Sequence, residues 1–148
     1  MIAIILFLCV IGADRLTKWL ALQILSTQSI PVIYGFKLTL AWNKGVSYSL
    51  FADAGTQGSL VLTSFIVTTI TLFAGYVLWR GYKGYRVWIE AMILGGAVSN
   101  LIDRVNYGAV IDFIELYACS YSFPIFNVAD MFIVLGVFGL LVHSWFEK

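Results

Sequence analysis

Apolar runs about twenty residues long dominate this chain, and their interruptions carry most of its information. Leu60 to Trp79 contains no charged residue, and at 1.5 Å rise per residue it is long enough to cross a bilayer as a helix. Three further runs match it in length. Ile2 to about Leu25 carries Asp14, Arg15 and Lys18 in its second half. Val87 to about Asp103 is broken by Glu90, and about Phe126 to Trp145 has Asp130 near its start. The pattern predicts a membrane all-α fold in one domain over 1–148, with four transmembrane helices at 2–25, 58–79, 87–104 and 126–146. The connections at 26–56 and 105–125 form the longer loops.

The period changes in the first of those loops. Phe36, Leu38, Leu40 and Trp42 alternate with Lys37, Thr39 and Ala41, the two-residue repeat of a half-buried strand. Ile30 to Ile33 is a second β-prone run, and Tyr34-Gly35 between them predicts a hairpin. A small sheet on the membrane surface follows, to which Tyr107 to Asp112 adds a strand.

Composition agrees with the pattern. The 148 residues are 61% hydrophobic and 11% charged, against about 25% charged in soluble domains. A net charge of +1 offers no basic field for nucleic acid, and so apolar a chain cannot remain solvated as a disordered one. Cys9 and Cys119 lie far apart, which predicts no disulfide. The first thirteen residues lack a basic region, so the first run is expected to be a retained span and not a cleaved signal. Arg80, Lys83 and Arg86 crowd one short link without an acid, which the positive-inside rule assigns to the cytoplasm. Both termini then lie inside and both longer loops outside. Trp42, Tyr82 and Trp88 sit near span ends as interfacial anchors.

The charges left inside the runs are the candidate chemistry, because an ionisable residue at membrane depth is costly without a role. Asp14 lies about 18 Å above the inner start of its helix; Asp103, Asp112 and Asp130 also fall in the outer half. Asp14 and Lys18 share a helix face at i,i+4, as do Asn100, Asp103 and Arg104 at i,i+3 and i,i+4, and Asn127 and Asp130 at i,i+3. Three polar stripes at one depth would form one pocket if all face inward. Gly95, Gly96 and Ala97, one turn below Asn100, supply a small-residue surface for close helix approach. Glu90 and His143 lie toward the inner face, where Glu90 is expected to snorkel or to pair with Arg86 at i,i+4. No HExxH or Cys/His set exists, so no metal is expected. Ser99 has no obvious lysine or histidine beside it, and Ser47 with Lys44 has no further signature. Two carboxyl groups sharing one proton could hydrolyse an amide without a cofactor. A proton-coupled transporter using Asp14 is the alternative reading; a non-enzymatic scaffold would not need these acids.

Five ordered blocks sharpen the choice: ADRLTK (13–18), NKGVSYSLF (43–51), GGAVSNLIDR (95–104), GAVIDFIELY (108–117) and FPIFNVAD (123–130). In them the chain resembles the lipoprotein signal peptidases (signal peptidase II), bacterial inner-membrane aspartyl proteases. The resemblance implies that Asp112 and Asp130 are the catalytic dyad and that Asn100 and Asn127 orient the dyad or substrate. It implies that Arg104 and Asn43, with Gly45, bind substrate carbonyls. Asp14 and Lys18 would be a supporting pair, and Asp103, which could pair with Arg104, would be structural, as would Gly95 and Gly96. Arg104 could equally neutralise Asp103 or Asp112. The implied substrate is a diacylglyceryl-modified prolipoprotein, cut before its lipidated cysteine at the outer face. The implied partners are membrane lipid and cyclic peptide inhibitors such as globomycin, acting on a monomer with no cofactor. One block departs from the family's NxGxAF pattern: Val46-Ser47-Tyr48 follows Gly45, and Phe51 comes later. That difference bears on substrate preference.

Overall fold

In a computed structural model the described residues are 1–45, 55–119 and 121–146. The departure at 46–48 and the Ser47 pairing therefore lie outside them. Among the described residues four helices form: α1 (Ile2–Ile24), α2 (Gly55–Tyr82), α3 (Trp88–Tyr107) and α4 (Val128–Phe146). Four strands accompany them: β1 (Ile30–Ile33), β2 (Phe36–Asn43), β3 (Val110–Ala118) and β4 (Tyr121–Ser122). The strands make one antiparallel sheet in the order β1-β2-β3-β4.

Among the described residues two helices are both long and apolar enough to cross a membrane, over Leu60–Tyr82 and Val128–Phe146, with mean hydropathies of 2.0 and 1.8. Outward side chains such as Leu72, Leu78 and Phe138 are exposed on the isolated chain, as a lipid-facing surface would be. α1 and α3 have 23 and 20 residues. Each carries charges that lower its apolarity: Asp14, Arg15 and Lys18 in α1, and Glu90, Asp103 and Arg104 in α3. Asp14, Lys18, Glu90 and Asp103 are buried among their neighbours.

α3 is the hub, packed against α1, α4 and α2. Glycine makes that possible. A Cβ on Gly95 would lie 2.9 Å from the Phe7 carbonyl oxygen of α1, and one on Gly96 would lie 2.7 Å from the Ala129 carbonyl oxygen of α4. The adjacent glycines thus face two different helices, and any side chain there would push one of them away. Gly136 of α4 repeats the device against Ile93, a contact that no spacing in the sequence marks.

The hairpin forms as expected, turning at Gly35 with φ +87°. The strict alternation of β2 does not persist. β2 has one extra residue between Leu38 and Ala41 relative to β3, a bulge that breaks the two-residue repeat. Leu38 and Leu40 pack on the Ala21, Leu25 and Phe113 cluster. Trp42 is exposed and edge-on to Tyr107.

The strand expected at 107–112 begins later and runs longer. Tyr107 ends α3, Gly108 caps it in the left-handed region at φ +68°, and β3 starts at Val110. α2 runs on to Tyr82, so Arg80 belongs to its last turn and not to the link. This also overturns the Arg86–Glu90 pairing. α3 begins at Trp88, so Arg86 stands outside the helix and stacks on the Trp88 ring instead. Arg80 Nη1 donates to Glu90 Oε1 at 2.5 Å.

Candidate active site

The site grows from the first turn of α4. Asn127 precedes the helix, and its Oδ1 accepts from the backbone N–H of Asp130 at 3.0 Å. Asp130 Oδ2 accepts from the Asn127 backbone N–H at 3.2 Å. This reciprocal pair is a capping box with Asp in the third helical position. The expected i,i+3 spacing is therefore the local geometry of a helix start.

The cap also reaches outward. Asn127 Nδ2 donates to Asp112 Oδ1 at 2.6 Å and to Asn100 Oδ1 at 3.2 Å. A single asparagine thus touches both candidate acids. Asp112 lies in β3 opposite Ala41 of β2. Two residues further along β2, Asn43 Nδ2 donates to Asp112 Oδ2 at 3.0 Å. The Asn43 Oδ1 accepts from Gly45 N–H at 3.1 Å. On the α3 side, Asn100 Nδ2 donates to Asp130 Oδ1 at 2.8 Å. All four carboxyl oxygens of Asp112 and Asp130 therefore accept a hydrogen bond.

Behind this layer sits an ion cluster. Lys18 Nζ lies 2.7 Å from Asp14 Oδ2 and 2.8 Å from Asp103 Oδ2, and donates to Asn100 Oδ1 at 2.8 Å. Asp14 further accepts from Ser99 Oγ at 2.7 Å and from the Ala129 N–H at 2.9 Å. Asp103 pairs with Arg15 and accepts from the Ile111 N–H at 3.2 Å. Buried charges survive in a core only when paired and hydrogen-bonded, and both aspartates meet that condition. α1, α3, β3 and α4 are thus tied together at one level.

Nearly every residue singled out by sequence enters this assembly: Asp14, Lys18, Asn43, Asn100, Asp103, Asp112, Asn127 and Asp130. Among the described residues Arg104 makes neither contact ion pair considered for it, although the charges of Asp112 and Asp103 act on it at longer range. Its Nη2 donates to the Gly45 carbonyl oxygen at 2.7 Å, because Arg15 and Lys18 already occupy Asp103. Two participants were not singled out. Ser99, read as isolated, supports Asp14, and Arg15 holds Asp103. Their signal was positional: Ser99 adjoins Asn100, and Arg15 adjoins Asp14.

The two acids open onto a groove of roughly 1270 Å³ lined by α2, α3, α4 and the sheet. Asn43, Gly45, Asn100 and Arg104 line its polar end, while Phe65, Ile66, Ile70, Ile133 and Val134 line the apolar remainder. Burial pushes the Asp112 carboxyl from its ordinary 3.8 up to about 6; the Asn43 and Asn127 donors oppose the rise, and the Asp130 charge adds to it. Among the described residues no three His, Cys, Asp or Glu side chains could jointly hold a metal. The arrangement presents two neighbouring acids, in unlike surroundings, to an amphipathic groove. Such a pair can divide acid and base roles in a hydrolysis.

Comparison with known proteins agrees in fold and in sequence. Two bacterial membrane enzymes solved by the in meso method superpose on the chain. One, at 2.3 Å resolution, has a TM-score of 0.77 and 24% identity, covering 98% of this chain and 88% of its own. The other, at 1.9 Å, has a TM-score of 0.73 and 25% identity, covering 96% and 91%. The lipoprotein signal peptidase of Rhodopseudomonas palustris is 36% identical over 90% of this chain and 85% of its own length. That of Acinetobacter baumannii is 38% identical over 90% and 77%. The family model for signal peptidase (SPase) II matches residues 6–146. With that match running through every element of the site, the chain belongs to the signal peptidase II family of membrane peptidases.

Proposed function

We propose that the protein is an aspartyl endopeptidase that removes signal peptides from diacylglyceryl-modified prolipoproteins, hydrolysing the bond before the lipidated cysteine. The observation that carries this reading is the Asp112–Asn127–Asp130 arrangement at the polar end of an apolar groove. In this reading the ionised acid takes a proton from a water molecule, and the resulting hydroxide attacks the scissile carbonyl. The protonated acid polarises that carbonyl and then delivers its proton to the departing cysteine amine. Asn43 and Arg104, beside Gly45 at the mouth, hold neighbouring backbone carbonyls of the substrate.

The same reading supplies the topology. Four helices cross the bacterial inner membrane with both termini cytoplasmic, and the site lies near the outer face. The buried charges of α1 and α3 are tolerated at membrane depth because each is partnered: Arg15 and Lys18 with Asp14 and Asp103, and Glu90 with Arg80 of α2. Diacylglyceryl chains favour the bilayer, so substrate enters laterally, and the apolar part of the groove suits lipid and signal-peptide side chains. One chain contains every group used, consistent with a monomer. Cyclic peptides such as globomycin would compete for the groove. A proton-coupled transporter is not favoured, since the family is one of peptidases.

The test is cleavage of a lipid-modified prolipoprotein by purified protein in detergent. Asp112→Asn and Asp130→Asn should each lower turnover by at least about 10³-fold, within the range of acid–base catalysis, while the protein still inserts and folds. Substantial turnover by either variant would falsify the dyad. Equal rates on unlipidated substrate would contradict lateral entry.

A further inference from the structure

Four donors serve the carboxyl oxygens of Asp112 and Asp130, and three of them are side-chain amides. An amide end presents N–H₂ on one side and oxygen on the other, so each must be held against rotation to keep donating. Asn43 is held by the Gly45 backbone N–H on its Oδ1. Asn127 is held by the Asp130 backbone N–H on its Oδ1. Among the described residues no backbone group holds the Asn100 oxygen; its Oδ1 faces the Lys18 ammonium at 2.8 Å and the Asn127 amide at 3.2 Å. An ammonium can only donate. The Asn100 atom facing Lys18 must therefore be oxygen, which turns Nδ2 toward Asp130 Oδ1. Lys18 is itself fixed by Asp14 and Asp103 and is 1% exposed, so it has no competing use in solvent.

We propose that Lys18 is a positioning residue for the candidate dyad: it locks the Asn100 amide so that its N–H points at Asp130, keeping Asp130 the ionised member of the pair. The inference rests on the peptidase reading above and deepens it. Without Lys18 only the longer 3.2 Å bond from Asn127 Nδ2 opposes rotation of the Asn100 amide, so Asn100 presents its oxygen to Asp130 far more often. Two acceptors then face each other, and only a protonated Asp130 can satisfy the contact. The charged groups around Asp130 are Asp14 and Lys18 of α1, Arg104 of α3 and Asp112 of β3. Lys18 could therefore also act by charge alone, and the two modes separate in a double-mutant cycle.

The cycle uses Lys18→Met, Asn100→Leu and the double variant in the full-length protein. Two readouts are taken across pH: cleavage of the lipidated prolipoprotein, and the infrared carboxyl band of the protein without substrate, assigned to Asp130 by its loss in Asp130→Asn. The lock predicts that either single change moves the acid limb of the kcat profile, and the midpoint of the band, upward by about one pH unit. The double variant moves no further than Asn100→Leu alone. A charge effect would instead give the same additional shift from Lys18→Met whether or not Asn100 is present, and would overturn the proposal. So would a limb and midpoint that stay in place in Lys18→Met, with activity falling equally at every pH, the signature of a purely structural residue. If Lys18→Met fails to fold, Asn100→Leu carries the same prediction with the Asp14–Lys18–Asp103 cluster intact, and an unmoved midpoint there overturns the lock. Absence of cleavage by the wild type would sink the peptidase reading alone, because the infrared titration still reports the lock.

Discussion

Asp112 carries a carboxyl that burial holds at about 6 in the folded protein against 3.8 in the open chain. A group that binds its proton more tightly when folded favours the fold below its unfolded value and loses that advantage as pH rises. The penalty grows between about pH 4 and pH 6 and then levels off, reaching at most ~3 kcal/mol. Asp112→Asn removes it. Thermal unfolding in detergent should therefore show the variant gaining on wild type from pH 4 to about pH 6.5, with a constant difference above that. A difference that does not vary with pH would show that Asp112 titrates normally. Individual residues of this network were legible in the sequence as ionisable groups within apolar runs, and one pairing, Asp14 with Lys18, followed from helical spacing. The same spacing rule misled at Arg86 because the helix starts two residues later. Partners such as Lys18 with Asp103, or Arg15 with Asp103, depend on how neighbouring helices are rotated, and no local pattern encodes that.

Between elements, close approach is set by glycine, and the neighbour of each glycine decides what a methyl group would cost. Gly96 faces the Ala129 carbonyl, part of the α4 backbone one residue before Asp130, whereas Gly136 faces the Ile93 side chain. Backbone cannot rotate aside, so Gly96→Ala must displace the start of α4. It is expected to destabilise the protein by about 1–3 kcal/mol, the usual range for overpacking, and to lower turnover at least tenfold. Gly136→Ala should be milder in turnover because its clash lies two helical turns from the capping box. Thermal unfolding and cleavage by the two variants provide the check, and equal losses of turnover would contradict it. The helices themselves were readable from apolar run lengths, to within about three residues at each end. The sheet was readable only in part: its hairpin had a turn signal, but the β2 bulge and the length of β3 come from pairing between distant segments.

At the scale of the whole molecule, the proposed topology separates two sets of surface positions. Cys119, exposed in the turn after β3, should react with a membrane-impermeant maleimide added from the periplasmic side. A cysteine placed at Lys83, in the link between α2 and α3, should react only once the cytoplasmic side is opened. Labelling of both positions from one side would reject four crossings. Three basic residues near the α2–α3 link are the sequence's basis for this proposed orientation, and the labelling tests it. Phe126 ties the two halves of the site together over a short stretch of chain: its carbonyl oxygen accepts from both Phe113 and Ile114, and its N–H donates back to Ile114. Asp112, Asn127 and Asp130 thus come from one closed excursion of the backbone, while Lys18, Asn43 and Asn100 arrive from segments synthesised earlier. A ribosome-bound chain that has made α1, α2 and α3 holds Lys18, Asn43 and Asn100 but neither acid, because Asp112 follows in β3 and Asp130 in α4. On the proposed mechanism hydrolytic competence then appears only when α4 docks, so a half-made chain cannot yet cut a substrate.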